Sequence, residues 1–431
     1  MKFPLLLLAL GITLLSKTYA KVLRSSDFGW KPNQDITYPF HDLLEDGTIK
    51  PGVEFVLEHK FKISKSHHLP DNFILSATKG AGLDVTDAKG HAQGRALLEL
   101  GNGTILRNLT IHYLDTPPLG PTGETAKVNF TYRLGIQGRS KKGIRIENCR
   151  LIGSIGHHIR LLDCHEPQIL GCHIAGGHWS VLLSGDILKP LFRNCLIEQC
   201  QGDAIKTGLR GAKGTRGALI ENCVFQDNLR DGIDTTGGFK DSIVRNCIFR
   251  RLREGLDIKA FYEHPPHLSP DVQCSNVLIE NCQFYDMPNG ITLTTIDGGR
   301  RRGPGKELLN SKNIAQFAPH DIEVRNCVFG YSEFPLKTRR QGGYGADYPS
   351  FEKEHMRMFL IKDAYNIRYK GIRFANDRIK AVHTSSIGGS KHLSREAARA
   401  IQRSVEGNIL DDLAPKPKPG QKSVPFHVGP K

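Results

Sequence analysis

Short apolar runs separated by turn residues dominate the chain from about residue 70. The first fall at 73–75, 97–100 and 105–113, and they read as strands. Among them one phrase returns: an aliphatic or aromatic residue, any residue, Asn, Cys, any residue, then Phe, Ile or Leu. It stands as Phe192-Arg193-Asn194-Cys195-Leu196-Ile197, Ile220-Glu221-Asn222-Cys223-Val224-Phe225 and Val244-Arg245-Asn246-Cys247-Ile248-Phe249. Further copies carry Asn148, Asn281 and Asn326. Gly171-Cys172 is a degenerate copy, Leu106-Arg107-Asn108-Leu109 has Leu in the Cys place, and Tyr365-Asn366-Ile367 closes the series. A fixed phrase at a fixed period predicts stacked units, each too small to bury its own apolar face.

The Cys places follow one another at 23, 23, 28, 24, 35 and 45 residues. A minimum near 23 suits three short strands and their turns, one circuit of a parallel coil. The Asn belongs at a turn, where its side chain bonds nearby backbone and stacks on its equivalents. A Cys in one repeating place is read as a buried small hydrophobe, so Cys149, Cys172, Cys195, Cys223, Cys247, Cys282 and Cys327 are expected in one reduced column. Cys164, Cys200 and Cys274 lie outside that place, and no Cys/His spacing suits zinc.

After three of the copies the chain carries a strand with charge on it: Asp203-Ala204-Ile205-Lys206, Asp231-Gly232-Ile233-Asp234 and Glu254-Gly255-Leu256-Asp257-Ile258-Lys259. Aligned on the Cys place, one column reads His157, Ser180, Asp203, Asp231, Glu254, Asn289. The next reads Arg160, Leu183, Lys206, Asp234, Asp257, Thr292. Ile205, Ile233, Leu256 and Ile291 alternate with these and are expected to face inward, leaving the charges outward. Five carboxylates on three adjacent coils need neutralising, and a hard cation such as Ca²⁺ accepts such irregular oxygen sets. The ligands expected are Asp203, Asp231 and Asp234, with Glu254 and Asp257; Lys206 and Lys259 flank them. His157-His158 is read as structural.

Insertions follow these strands at 209–217, 261–273, 296–319 and 339–350 and are expected to wall a groove. With Arg230 and Arg253 they offer His264, Arg300 and Arg339 as substrate-binding residues. The formal charge is +15, from 59 Lys and Arg against 44 Asp and Glu, which favours a polyanionic partner. Nucleic acid is set aside, because the basic loops lack interleaved aromatics. Residues 1–20, with Lys2, an apolar run and Thr18-Tyr19-Ala20, read as a secretory signal peptide, so a secreted or periplasmic monomer without a membrane span is expected. Residues 21–69 read as an N-terminal cap with a helix through Phe40, Leu43 and Leu44, residues 70–375 as the repeat, and 376–431 as an extension with a disordered basic tail.

The repeating phrase resembles the right-handed parallel β-helix of pectate lyases and their relatives, over roughly residues 95–375. That resemblance implies an all-β solenoid of about nine or more coils. Asp203 and Asp231-Gly232-Ile233-Asp234 are similar to the calcium cluster of polysaccharide lyase family nine, with Arg230 where that family has an Asp. It implies a lyase that cleaves an acidic, uronate-containing polysaccharide by calcium-assisted β-elimination. Lys259, or else Lys206, is then the base. Asp231-Gly232-Ile233-Asp234 followed by Arg253-Glu254-Gly255-Leu256-Asp257-Ile258-Lys259 also resembles the paired motifs of polygalacturonases. That implies a hydrolase using Asp231 and Glu254 as acid and base. A non-catalytic carbohydrate-binding β-helix is the third reading.

Overall fold

The computed structural model describes residues 21–86, 95–116, 134–153, 155–209, 214–236, 238–259, 273–294, 319–330, 356–361, 364–375 and 379–384. The chain winds as a right-handed parallel β-helix with three long parallel sheets of 14, 11 and 11 strands. Each circuit contributes one strand to each sheet. The coil at 219–236, for example, gives Leu219–Glu221, Val224–Gln226 and Asp231–Thr236. The charged strand is therefore the third of its circuit, because the phrase itself already spans two strands and the corner between them.

That corner is the reason for the Asn. Asn108, Asn148, Asn194, Asn222, Asn246, Asn281, Asn326 and Asn366 all have φ between 52° and 57°, the left-handed region that Asn tolerates better than most residues. In the degenerate copy Gly171 takes the same conformation. The side chains also stack along the axis, Asn246 Nδ2 donating to Asn222 Oδ1 at 3.2 Å.

Immediately after the corner the Cys points inward. All seven Cys of the repeating place are buried and free, and their thiols face backbone carbonyls: Cys247 Sγ donates to Arg245 O at 3.2 Å. The second strands stack aromatic on aromatic, Phe225, Phe249, Phe284 and Phe329 lying 4.7–5.0 Å apart and within 12° of parallel. The third strands turn Ile205, Ile233, Leu256 and Ile291 inward, each at 0% exposure.

Of the three Cys outside the repeating place, Cys200 packs against Ser180 Oγ at 2.7 Å. Cys274 donates to Lys259 O at 3.5 Å, and Cys164 to Leu162 O at 3.2 Å. At the N-terminal end the helix Thr37–Glu45 lays Phe40 over the open end of the stack, against Trp30 and Phe55. This covers an edge that would otherwise pair with another chain. Strands Lys21–Arg24 and Val53–Leu57 already belong to the 14-stranded sheet. No helix among the described residues is long and apolar enough to cross a membrane.

Candidate functional site

The charged residues sit on the third-strand sheet, in adjoining rungs. Lys206 pairs in register with Asp234, Asp234 with Asp257, and Asp257 with Thr292; Asp231 pairs with Glu254 and Glu254 with Asn289. Regular alternation would send residues three apart to opposite faces. The Gly between the two acids relaxes that rule. A Cβ on Gly255 would lie 2.6 Å from both Gly290 O and the Phe284 ring, so only glycine fits this close approach. Gly232 is held in the same way by Gly255 O and Phe249. Asp-Gly-Ile-Asp and Glu-Gly-Leu-Asp thus present both their acids to one side.

Upstream, one column differs from the sequence reading. Leu182, not Leu183, pairs with Lys206, while Ser180 and Leu183 are buried inward. The turn through Gly176 and Gly177, at φ 92° and 90°, brings this strand in one residue sooner after its Cys. The shift sets Trp179 at the edge of the charged array, a residue the sequence reading missed. Lys206 Nζ lies 5.2 Å from its ring centroid, and His157 stacks on it at 5.6 Å.

The acids are neutralised by protein cations. Asp203 faces Lys206 at 3.4 Å and Arg230 at 3.6 Å. Asp231 accepts two bonds from Arg253, at 2.9 and 2.6 Å. Asp234 is clasped between Lys206 and Lys259, the latter at 3.1 Å, and Lys259 also holds Asp257 at 2.6 Å. The floor of this array is closed: Asp203, Asp231 and Asp234 have 0% exposure, Lys259 1%, Asp257 4% and Lys206 6%. Trp179, Arg230, Arg253 and Glu254 form its half-buried rim.

Burial and partners sort the acids. Burial alone would raise Asp234, but the two lysines overcome it and hold its carboxyl far below the usual range. Burial pushes Asp231 and Asp257 up to about 7, against the pull of Arg253 and Lys259, and it raises Glu254 as well, with Asp231 adding to the effect. Lys206 is raised despite burial by Asp234 and Asp203, so it stays protonated. Five carboxyls meet four cations, Lys206, Arg230, Arg253 and Lys259. A buried set one positive charge short holds one proton at neutral pH. That proton belongs to the group formed by Asp231, Glu254 and Asp257, whose carboxyls burial raises, and Asp231 alone of these is held by two bonds from an arginine. Glu254 Oε2 and Asp257 Oδ1, like Asp203 Oδ2 and Asp234 Oδ1, are buried and accept no hydrogen bond among the described residues, but the last two each face a lysine.

The calcium ligands expected from the resemblance divide in two. One oxygen each from Asp203, Asp231 and Asp234, and likewise from Asp231, Glu254 and Asp257, lie within 4.8 Å of one another, a spacing that a cation spans. In the first trio, however, all six oxygens already face Lys or Arg, and that trio does not fit a metal as it stands. The same spacing corrects the acid–base pair of the hydrolase reading: Asp231 and Glu254 approach more closely than the roughly 6.5–9.5 Å that leaves room for a water between them.

Lys259 and Lys206, the expected bases, are counter-ions at the floor. Arg230 and Arg253 stand at the rim, where substrate-binding residues were expected. His264, Arg300 and Arg339 lie outside the described residues, as do residues 1–20, the insertions at 261–272, 296–318 and 339–350, and the extension after 384. His158 is structural: its Nε2 faces Gly153 O at 2.8 Å and Ala175 O at 3.2 Å, and burial holds it neutral, near 4.

The family described as right handed beta helix region matches residues 101–260 and 192–331, together more than half of the 431 residues. The chain belongs to this family. No curated protein matches it by sequence. Among solved structures the family member is similar to the Dettilon tailspike protein, with 13% identity over 88% of this chain and 71% of that one, at a TM-score of 0.53. It is also similar to the Yersinia enterocolitica family 28 exopolygalacturonase, with 13% identity, 84% and 78% coverage and a TM-score of 0.52. A third is a GH87 α-1,3-glucanase from Streptomyces thermodiastaticus, with 11% identity, 87% and 67% coverage and a TM-score of 0.52. At these identities the likeness is one of fold.

Proposed function

We propose that this β-helix protein cleaves an acidic glycan by proton transfer from the array on its third-strand sheet, outside the cytoplasm as residues 1–20 suggest. The observation that carries the reading is the imbalance of five carboxyls against four cations, with the unpartnered oxygens on Glu254 and Asp257. Glu254 is the carboxyl at the rim, so it is assigned as the proton donor. Its proton passes to the glycosidic oxygen as the bond to the anomeric carbon breaks. A water adds to that carbon and returns a proton to the carboxyl cluster, restoring the array. Arg230 and Arg253, paired with Asp203 and Asp231, keep further N–H donors at the rim for an acidic oxygen of the sugar. Folded neighbours that include a polygalacturonase and a glucanase agree with a glycan substrate without specifying one.

Calcium-assisted β-elimination is the second reading, supported by the 4.8 Å spacing of Asp231, Glu254 and Asp257. It asks Lys259, the residue assigned as base, to reach substrate from 1% exposure between two carboxylates. The two readings separate in one experiment. The protein is incubated with polyuronates, a sulfated glycan and a neutral glucan, with and without chelator, while reducing ends and ultraviolet-absorbing unsaturated ends are both followed. The hydrolytic reading expects new reducing ends without unsaturated ones, and no loss with chelator. Unsaturated ends that vanish with chelator establish the elimination instead. No new ends on any glycan overturn both.

A further inference from the structure

We infer that the chain carries a seat for a hard divalent cation one coil beyond the trio implied by the lyase resemblance. The seat is built from Glu254 Oε2, Asp257 Oδ1, Asn289 Oδ1 and Thr292 Oγ1. The pairing of the strands Glu254–Lys259 and Asn289–Thr294 sets Glu254 beside Asn289 and Asp257 beside Thr292, about 4.8 Å apart across the sheet. Oxygens of Glu254 and Asp257 lie within 4.8 Å of each other, so the two side chains share one side. All four oxygens are buried and meet no hydrogen-bond partner among the described residues. Asp257, Asn289 and Thr292 are exposed by only 4%, 7% and 3%.

One buried polar atom without a partner costs about 1–3 kcal/mol, and four in a single cluster call for a shared occupant. Asn289 Nδ2 donates to Glu254 Oε1 at 3.3 Å, which ties the amide into the cluster. Three of the four atoms are acceptors only, so the occupant must bring positive charge or donors. Asp257, Asn289 and Thr292 are closed over by the rim, so the occupant is as small as an ion. Two carboxylate oxygens, an amide oxygen and a hydroxyl are hard ligands, which selects Ca²⁺ or Mn²⁺ over softer metals; water completes the shell.

This seat differs from the first trio in the one respect that matters. There all six oxygens face a Lys or Arg, whereas here two of the four ligand atoms belong to uncharged side chains and only Asp257, through its other oxygen, is held by a lysine. The inference does not rest on glycan cleavage. If both hold, cation and catalytic proton compete for Glu254, and the ion inhibits.

The test is binding of Mn²⁺ by electron paramagnetic resonance and of Ca²⁺ by calorimetry, on the full chain without substrate. One ion per chain is expected. Asp257→Asn should weaken binding by about tenfold or more, or about 1.4 kcal/mol. Thr292→Val, which removes an uncharged ligand, should weaken it severalfold. Asp203→Asn should leave it within about twofold, with circular dichroism confirming the coils in each variant. No binding at millimolar metal overturns the seat. Asp203→Asn weakening binding as much as Asp257→Asn places the ion on the first trio and overturns it equally. Cleavage assayed in chelator reports on the glycan reading separately.

Discussion

Ile233 and Asp234 are neighbours on one strand, both at 0% exposure, and opposite forces hold them. Ile233 faces the inner stack, where each rung repeats the one before: Ile205, Ile233, Leu256, Ile291. Asp234 faces the outer array, where acids stand beside acids on successive rungs, Asp234 beside Asp257 and Asp231 beside Glu254, and a cation answers them: Lys206 and Lys259 at Asp234, Arg253 at Asp231, Lys259 at Asp257. Apolar groups gain from any similar neighbour, so an inner column tolerates repetition. Buried charges gain only from a partner of opposite sign in good geometry, so the outer column is specified residue by residue. Repetition marks scaffold in this molecule, and pairing of opposite charges marks the site.

The largest effect should come from breaking that pairing. Asp234→Asn leaves Lys206 and Lys259 buried beside a neutral amide. Removing one partner of a buried pair costs about 3–5 kcal/mol. Urea unfolding should show a loss of that order with an unchanged slope. A loss below about 1 kcal/mol means water screens the array and the floor is open.

Next is Glu254→Gln, at the rim. The amide keeps the shape and the Asn289 contact but cannot give up a proton, so cleavage should fall about 10²–10⁴-fold while stability changes little. Unchanged turnover on a glycan that the parent cleaves removes Glu254 from the mechanism and leaves the array as scaffold.

A smaller effect lies in pH. Asp231 and Asp257 titrate near 7 in the folded chain, above their ordinary range near 4. A raised folded value means that the stabilising protonated form is fully present below the unfolded pKa and is lost as pH rises through the folded one. Asp234 runs the opposite way, but its window lies below about pH 4. Between about pH 5 and pH 8 stability should therefore fall, by on the order of 1–2 kcal/mol. Asp257→Asn should flatten the slope, and a slope unchanged in that variant assigns it elsewhere.

The inner stack was legible in the sequence because its physics repeats. Asn222 and Asn246 announce the corners, Cys223 and Cys247 the inward turn, and Phe225 and Phe249 the stacked second strands. The charged rungs were legible as a place, since five acids on three coils are conspicuous at any alignment. Their pairing was not. A turn one residue shorter at Gly176-Gly177 moved Trp179 into the column and Ser180 out of it, and nothing in the spacing of the Cys marks that change. Nor does a string of residues tell whether Lys259 is a poised base or a counter-ion. Burial at 1% and two carboxylate contacts decide that, and both belong to the fold.

The smallest effect tests the inner half of the comparison. Ile233→Val removes one methylene from a position that packs against Ile205 on one rung and Leu256 on the next. The expected cost is about 0.5–1.5 kcal/mol, from lost transfer energy and a small void. Because Ile233 bonds to no member of the array, cleavage and metal binding should both stay within about twofold. The adjacent Asp234→Asn should disturb stability several times more at equal burial. If Ile233→Val instead costs as much as Asp234→Asn, the inner stack is as strictly specified as the outer column. Repetition would then no longer separate scaffold from site.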